Sequence, residues 1–367
     1  MRVLFYHAER GWSGRARAFA AAARNLAERG YQVFYVCQPD SAVEQRVSGA
    51  GYDVVPIRGR PGVRMAMRLG ALIRERFLEV VVVHSEREQL AAALACRIAL
   101  RGAVVRRLGA GEPLTWGRRA RLALRFAASG TLLTRLDDDP PPMPNPPPDG
   151  TIEPVWGDLG IDITRHDAAV TAARPMSRVG DTRVIACLSD ARTSRGAVAT
   201  VLRTIALLAP RHPELRLVLL GAGSDDEDFR IHAAALGITK IVTQLGERDD
   251  ELAVLRAADA GWVIATGDTA AFAHLDLMAM RVPVIADREP LALRYVADGI
   301  TGLLLPPGDP PATAAALATF LAHDAQRLAM GNAARARVTR EFPESAMVDA
   351  FYTAVEAARD RDRWLLR

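Results

Sequence analysis

Three loops in this 367-residue sequence carry residue types suited to holding an anionic, hydroxyl-bearing ligand. The first is Gly11-Trp12-Ser13-Gly14, after the apolar run Arg2–Tyr6 and ahead of an alanine-rich stretch. Glycines at a strand-to-helix turn let backbone N–H groups approach an anion, and the helix start adds a positive dipole end. Ser13 and Gly14 are therefore candidate phosphate contacts. A tight turn with no ligand accounts for the same residues, because the full GxGxxG spacing is absent. The second loop is SDARTSRG, 189–196, where Arg192 and Arg195 could clamp a diphosphate through charge-assisted hydrogen bonds. A solvated loop is the plain alternative. The third segment runs from Asp268 to Pro283. It places Asp268 near a strand end and Asp276 early in the next helix, so that both carboxylates could accept hydrogen bonds from sugar hydroxyls in one crevice. The alternative is a surface carboxylate that complements a helix dipole.

The elements that must position these loops alternate regularly. Strands are expected at Arg2–Tyr6, Gln32–Cys37, Asp53–Ile57, Val80–His84 and Ala103–Leu108, with helices running to about Arg29 and over Met65–Arg76 and Glu88–Leu100. Strand-helix-strand repetition implies a parallel sheet. The chemistry changes at DDDPPPMPNPPP, 137–148. Proline at that density continues neither a helix nor a central strand, and favours extended, semi-rigid chain. A domain boundary is expected between about Asp137 and Ser177, dividing the chain into 1–150 and 151–344. Asp137–Asp139 abuts the prolines and not a strand end, so it reads as linker and not as a metal-binding DxD; no metal site is expected. The alternation resumes with strands at Arg183–Leu188, Leu215–Gly221, Ile241–Leu245, Ala260–Ala265, Val282–Ala286 and Leu303–Leu305. Helices lie between them, including Phe272–Met280, and a last helix, Ser345–Arg359, is expected to pack back towards the first domain. The fold class is α/β: two Rossmann-like, doubly wound domains facing each other across a cleft, with ligand at the carboxyl ends of the strands.

Half the residues are hydrophobic and a quarter charged, the balance of a globular protein. Arginine almost wholly replaces lysine, Lys240 being the only one, as a GC-rich bacterial genome would produce. Cys37, Cys96 and Cys187 form no CxxC pair and read as core thiols in a reducing compartment. No signal peptide or apolar run long enough to span a bilayer is apparent, so the expected location is cytoplasmic. Between Arg101 and Leu136 eight arginines face one glutamate, Glu112, and 117–126 (GRRARLALRF) could form a basic amphipathic helix. That is either a peripheral contact with an anionic membrane face or an ordinary solvated surface. Basic residues without interleaved aromatics argue against nucleic acid.

The three loops together resemble the motif set of the GT-B glycosyltransferases, specifically the glycosyltransferase family 4 group. DTAAFAHLDLMAMRVPVIA, 268–286, is similar to that group's Glu-x7-Glu motif, small-residue turn and apolar-Pro-Val strand, with Asp268 and Asp276 in the glutamate positions. VADGITGLLLPP, 296–307, resembles its end-of-domain signature, VLLGAG, 218–223, and Glu247 its strand ends, and GIDITR, 160–165, its interdomain segment. The resemblance implies a cell-envelope type of enzyme that moves sugar from a UDP- or GDP-linked donor to a glycan or lipid-linked acceptor hydroxyl, with retention and without metal or other cofactor. On that reading Asp268 and Arg195 are catalytic, Asp268 meeting the donor sugar. Arg192, Gly221, Glu247, Thr269, Ala270 and Asp276 bind the donor, Asp276 at the ribose, with Ser13 and Gly14 on the phosphate. The chain departs from the pattern in several places. Both glutamates are aspartates, and two family glycines are Thr269 and Ala271. Arg195 replaces a lysine, and Asp190 stands where a partner arginine is usual. The usual first-domain histidine is Gly109, leaving His84 as the acceptor-side candidate. These departures also fit a catalytically impaired scaffold that acts as a binding partner, or a nucleotide-sugar epimerase of the same fold.

Overall fold

Short β-branched runs buried on both faces can only be strands of a covered parallel sheet, and the alanine-rich segments between them are the covering helices. The protein is described here as a computed structural model covering residues 1–136, 151–172, 182–190, 193 and 195–365. It divides into two units, Met1–Leu159 together with the chain from Glu344 onward, and Gly160–Pro343.

Unit 1 begins with β1 (Arg2–Tyr6), α1 (Gly14–Glu28), β2 (Gln32–Cys37), α2 (Ala42–Val47) and β3 (Asp53–Pro56). It continues through α3 (Val63–Arg76), β4 (Val80–Val83), α4 (Glu86–Ala99), β5 (Ala103–Leu108), α5 (Arg118–Leu124), β6 (Ser129–Thr134) and β7 (Val155–Gly157). The seven strands are parallel in the order β3-β2-β1-β4-β5-β6-β7. The boundary therefore falls later than the 150/151 division expected from the prolines. Val155–Gly157 pairs with β6, so residues 151–159 stay with unit 1. The proline run itself and Asp137–Asp139 lie outside the described residues.

Unit 2 runs α6 (Ile163–Ala172), β8 (Arg183–Leu188), α7 (Arg195–Leu208), β9 (Leu215–Leu220), α8 (Glu227–Ala235), β10 (Val242–Gly246), α9 (Glu251–Arg256) and β11 (Ala260–Val263). Then follow α10 (Gly267–Ala279), β12 (Val284–Asp287), α11 (Pro290–Tyr295), β13 (Gly302–Leu305), α12 (Pro310–Leu321) and α13 (Asp324–Glu341). Its six parallel strands are ordered β10-β9-β8-β11-β12-β13. The last helix, α14 (Glu344–Leu365), belongs to unit 1. Phe351 buries its ring near Phe5 and Phe19, and Glu344 receives Arg24 at 2.8 Å and Asn25 Nδ2 at 2.7 Å.

Both sheets reverse strand order beside their first strand, between β1 and β4 and between β8 and β11. Loops leaving such a pair diverge to opposite faces and open a crevice at the carboxyl ends. The order itself thus designates residues 7–13 and 84–85 in unit 1, and residues from 189 and from 264 onward in unit 2.

α10 corrects the sequence expectation most. It starts at Gly267, not Phe272, because Thr266 is already extended (φ −122°, ψ 155°) and Ala270 and Ala271 propagate a helix readily. Asp268 therefore sits in the first helical turn, not in a strand-end loop. Asp276 lies eight residues further along the same helix, roughly 12 Å along the axis. The two carboxylates do not converge on one point.

Candidate functional site

In unit 1, His7 and His84 directly follow β1 and β4, so the two imidazoles flank the strand reversal. Both are buried, their ring centroids are 5.4 Å apart edge to face, and His84 stacks on Phe19 at 3.6 Å. Desolvation holds His7 below the usual imidazole range and His84 well below it, so both are neutral at neutral pH. His84, the sequence candidate for the acceptor side, is only 4 % exposed. His7 escaped the sequence reading, although a polar residue placed immediately after a buried strand was its signal.

Glu88 ties the two loops together. Its carboxylate accepts from the N–H of Ala8 (2.8 Å), Ser85 (2.8 Å) and His84 (3.3 Å) and from Ser85 Oγ (2.9 Å), while Ser85 Oγ caps the Glu88 N–H at 3.2 Å. This is a capping box extended across the crevice to the β1 loop. The carboxylate is buried and bound by several donors, so Glu88→Gln should lower unfolding free energy by roughly 1–3 kcal/mol. Urea unfolding at pH 7.5 would measure this, and an unchanged midpoint would show that the network adds nothing.

Ser13 is the N-cap of α1, its Oγ accepting from Ala16 N at 3.4 Å, and Gly14 is buried at the first helical position. Arg15, the next residue, pairs with Glu112. Glu112 also accepts from the N–H of Gly109 at 2.9 Å. On α5 the arginines 118, 119 and 121 and Leu122 are exposed while Ala120 and Ala123 are buried, so the basic face is the outward one.

In unit 2, Ser189 and Asp190 leave β8 beside the residues that leave β11. Asp190 Oδ2 accepts from the N–H and Oγ1 of Thr266, at 2.8 and 2.9 Å. Arg195 opens α7 with its side chain 75 % exposed and pairs with Asp228 at 2.6 Å. Arg192 lies outside the described residues. Glu247 is exposed on the turn after β10.

Three candidates receive structural explanations. Gly221 has φ +97°, and a side chain there would strike the Ser189 carbonyl, so glycine is required by the close approach of two strand ends whether or not a ligand binds. Ala270 presents nothing to a ligand: its methyl is buried and its N–H donates to Thr266 O at 3.3 Å. Asp276 is buried and sits 3.1 Å from His166 Nε2. His166 projects from α6, within the segment read from sequence as interdomain linker, and was missed because the Asp276 partner is 110 residues away. Asp268 is buried in the first turn of α10, where a negative charge suits the dipole, and Thr269 beside it is half-buried.

Among the described residues no group of three or more His, Cys, Asp or Glu is arranged to hold a metal ion, and no helix is long and apolar enough to cross a membrane. The three cysteines are buried and unbridged.

Two parallel Rossmann-like sheets of this order define the architecture of the GT-B glycosyltransferases. The fold agrees over nearly the whole chain with a glycosyltransferase from Rickettsia africae (TM-score 0.74, 14 % identity, 97 % of this chain and 98 % of that one). It agrees as well with Anabaena HepE solved in complex with UDP (TM-score 0.73, 17 % identity, 97 % of this chain and 100 % of that one). Residues 182–323 match the model of the family described as glycosyl transferases group 1. The sequence is also 31 % identical over 211 residues to the D-inositol 3-phosphate glycosyltransferase of Corynebacterium jeikeium, which covers 54 % of this chain and 50 % of that protein. The chain thus spans about half the length of that curated relative.

Proposed function

We propose that the protein transfers a glycosyl group from a nucleotide-diphospho-sugar to an acceptor hydroxyl, with retention and without a metal ion. The observation that carries this reading is the coincidence of the family match over 182–323 with a strand reversal whose loops hold Arg195 and the start of α10. A helix start and a nearby guanidinium are what a departing diphosphate needs, since each stabilises the charge that develops there. Arg195 takes the diphosphate in this scheme, with Arg192 beside it in sequence. The donor sugar lies towards Asp268 and Thr269. We assign Asp276 to holding α6 on α10 through His166 in place of binding ribose, because its carboxylate already has a buried partner. The similarity to a D-inositol 3-phosphate glycosyltransferase favours a phosphorylated polyol as the acceptor class.

A second reading, a GT-B scaffold that has lost turnover, is favoured by a different observation: Arg195 is spent on Asp228 and an acid occupies position 190. Calorimetric titration of the full chain with UDP- and GDP-sugars separates the two. Micromolar binding of one donor, with sugar release to an acceptor, is the expected result. Absence of binding to every donor would reject the enzyme reading and the epimerase reading together.

A further inference from the structure

The crevice of unit 2 already contains an anion of the chain's own. Asp190 Oδ2 receives both the N–H and the hydroxyl of Thr266, which stands at the N-cap position of α10 with no capping bond from its side chain. Its N–H donates to Thr193 Oγ1 at 2.8 Å, and Thr193 Oγ1 shares its single proton between Asp190 Oδ1 and Ile264 O, each at 3.2 Å. One carboxylate thereby fastens the loop after β8 to the loop after β11 across the strand reversal. An N–H and a hydroxyl at the mouth of a helix are donors that a phosphate oxygen seeks. Here both are occupied by one carboxylate oxygen, Asp190 Oδ2, which stands where a single phosphate oxygen would.

In unit 1 a carboxylate also bridges the strand reversal, but from the opposite side: Glu88, on the helix after β4, reaches the loop after β1, and it is buried and bound by several donors. Asp190 differs in being half-buried, and Thr266 is exposed, so a ligand approaching α10 meets this carboxylate directly. Any diphosphate that reaches the Thr266 donors must displace it against like-charge repulsion.

We propose that Asp190 is a specificity-determining residue: an internal phosphate mimic that weakens binding of nucleoside diphosphates and admits only a ligand able to displace it. The inference rests on the reading of unit 2 as the donor site. It also accounts for the charge at this position without requiring loss of function, since a weak hold on the diphosphate is a fast release of the leaving nucleotide.

Asp190→Asn tests it, because the amide keeps the size and one acceptor oxygen for Thr266 while removing the charge. Titration of the full chain with UDP and GDP should show a dissociation constant lowered by at least about 10-fold for the preferred nucleotide, about 1.4 kcal/mol. Asp190→Glu, which keeps the charge, should show no tightening. Asp190→Ser serves if the Asn variant does not fold. A dissociation constant for the uncharged variant within about twofold of the parent, or weaker, overturns the proposal while leaving the donor-site reading intact. If neither parent nor variant binds any nucleotide, both fall.

Discussion

Replacing Arg195 with alanine is expected to lower kcat/KM for sugar transfer by about 100- to 1,000-fold without lowering the melting temperature. The two halves of that statement have separate causes. Arg195 opens α7, where the dipole of the helix presents positive charge, so a cation there is unfavourable by roughly 0.3–1 kcal/mol. Its partner Asp228 is itself about half exposed, and such a surface pair contributes little. Stability therefore offers no reason for an arginine at this point, whereas a bound diphosphate does. The guanidinium needs only to exchange a solvated carboxylate for a phosphate. Arg195→Lys should keep a substantial part of the rate, since charge is retained and only the two-pronged geometry is lost. Unchanged turnover in the alanine variant would remove Arg195 from the mechanism. A drop in melting temperature equal to that of core variants would instead show that its role is structural.

The fold should also lose stability in mild acid, and His274 should account for a large share of the loss. It is 1 % exposed in the middle of α10, with its ring parallel to Tyr295 at 6.0 Å. Burial lowers its pKa from 6.5 to about 4. An unfolded chain takes up the proton near pH 6.5, whereas the folded one resists until about pH 4. Between those values the unfolded state binds more protons, so stability is complete above pH 6.5 and falls as the pH is lowered. The loss from this group alone is about 2 kcal/mol at pH 5. His7 and His84 are shifted in the same direction by desolvation and add to the slope in unit 1. Urea unfolding at pH 7.5 and pH 5 measures the effect. His274→Phe keeps a ring beside Tyr295 and should reduce the difference between the two pH values, whatever its effect on absolute stability. An undiminished difference would place the acid sensitivity elsewhere.

The framework of the fold was readable because it rests on local signals. Runs such as Val80–Val83, with four β-branched residues in a row, admit hardly any other structure, and their alternation with helices implies parallel order. What escaped was set by distance along the chain. β7 is three residues long and exists because β6 offers it an edge. α6 was hidden by the neighbouring linker. The helix expected from Phe272 begins five residues earlier, at Gly267. The site divided in the same way. Arg195 and Asp268 were visible as charged residues beside strand ends. The bonds of Asp190 to Thr266 and of His166 to Asp276 link positions 76 and 110 residues apart, and no spacing rule reports them. Gly221 was noticed for its place at a strand end, but its cause is the Ser189 carbonyl, which only the paired strands bring near.

The two-part composition of unit 1 bears on how the protein is made. Ribosomes deliver chain from the amino end, and domains complete themselves as their last segment emerges. Gly160–Pro343 is continuous, and its ends meet, Ile161 N–H donating to Phe342 O at 3.1 Å, so unit 2 is complete as soon as that stretch has emerged. Unit 1 must wait for α14, although its seven strands were synthesised first. During that interval Phe5 and Phe19 lack Phe351, and Arg24 lacks Glu344. The domain begun first is therefore the one finished last, and its uncovered sheet face is the stretch of the nascent chain most in need of chaperone protection.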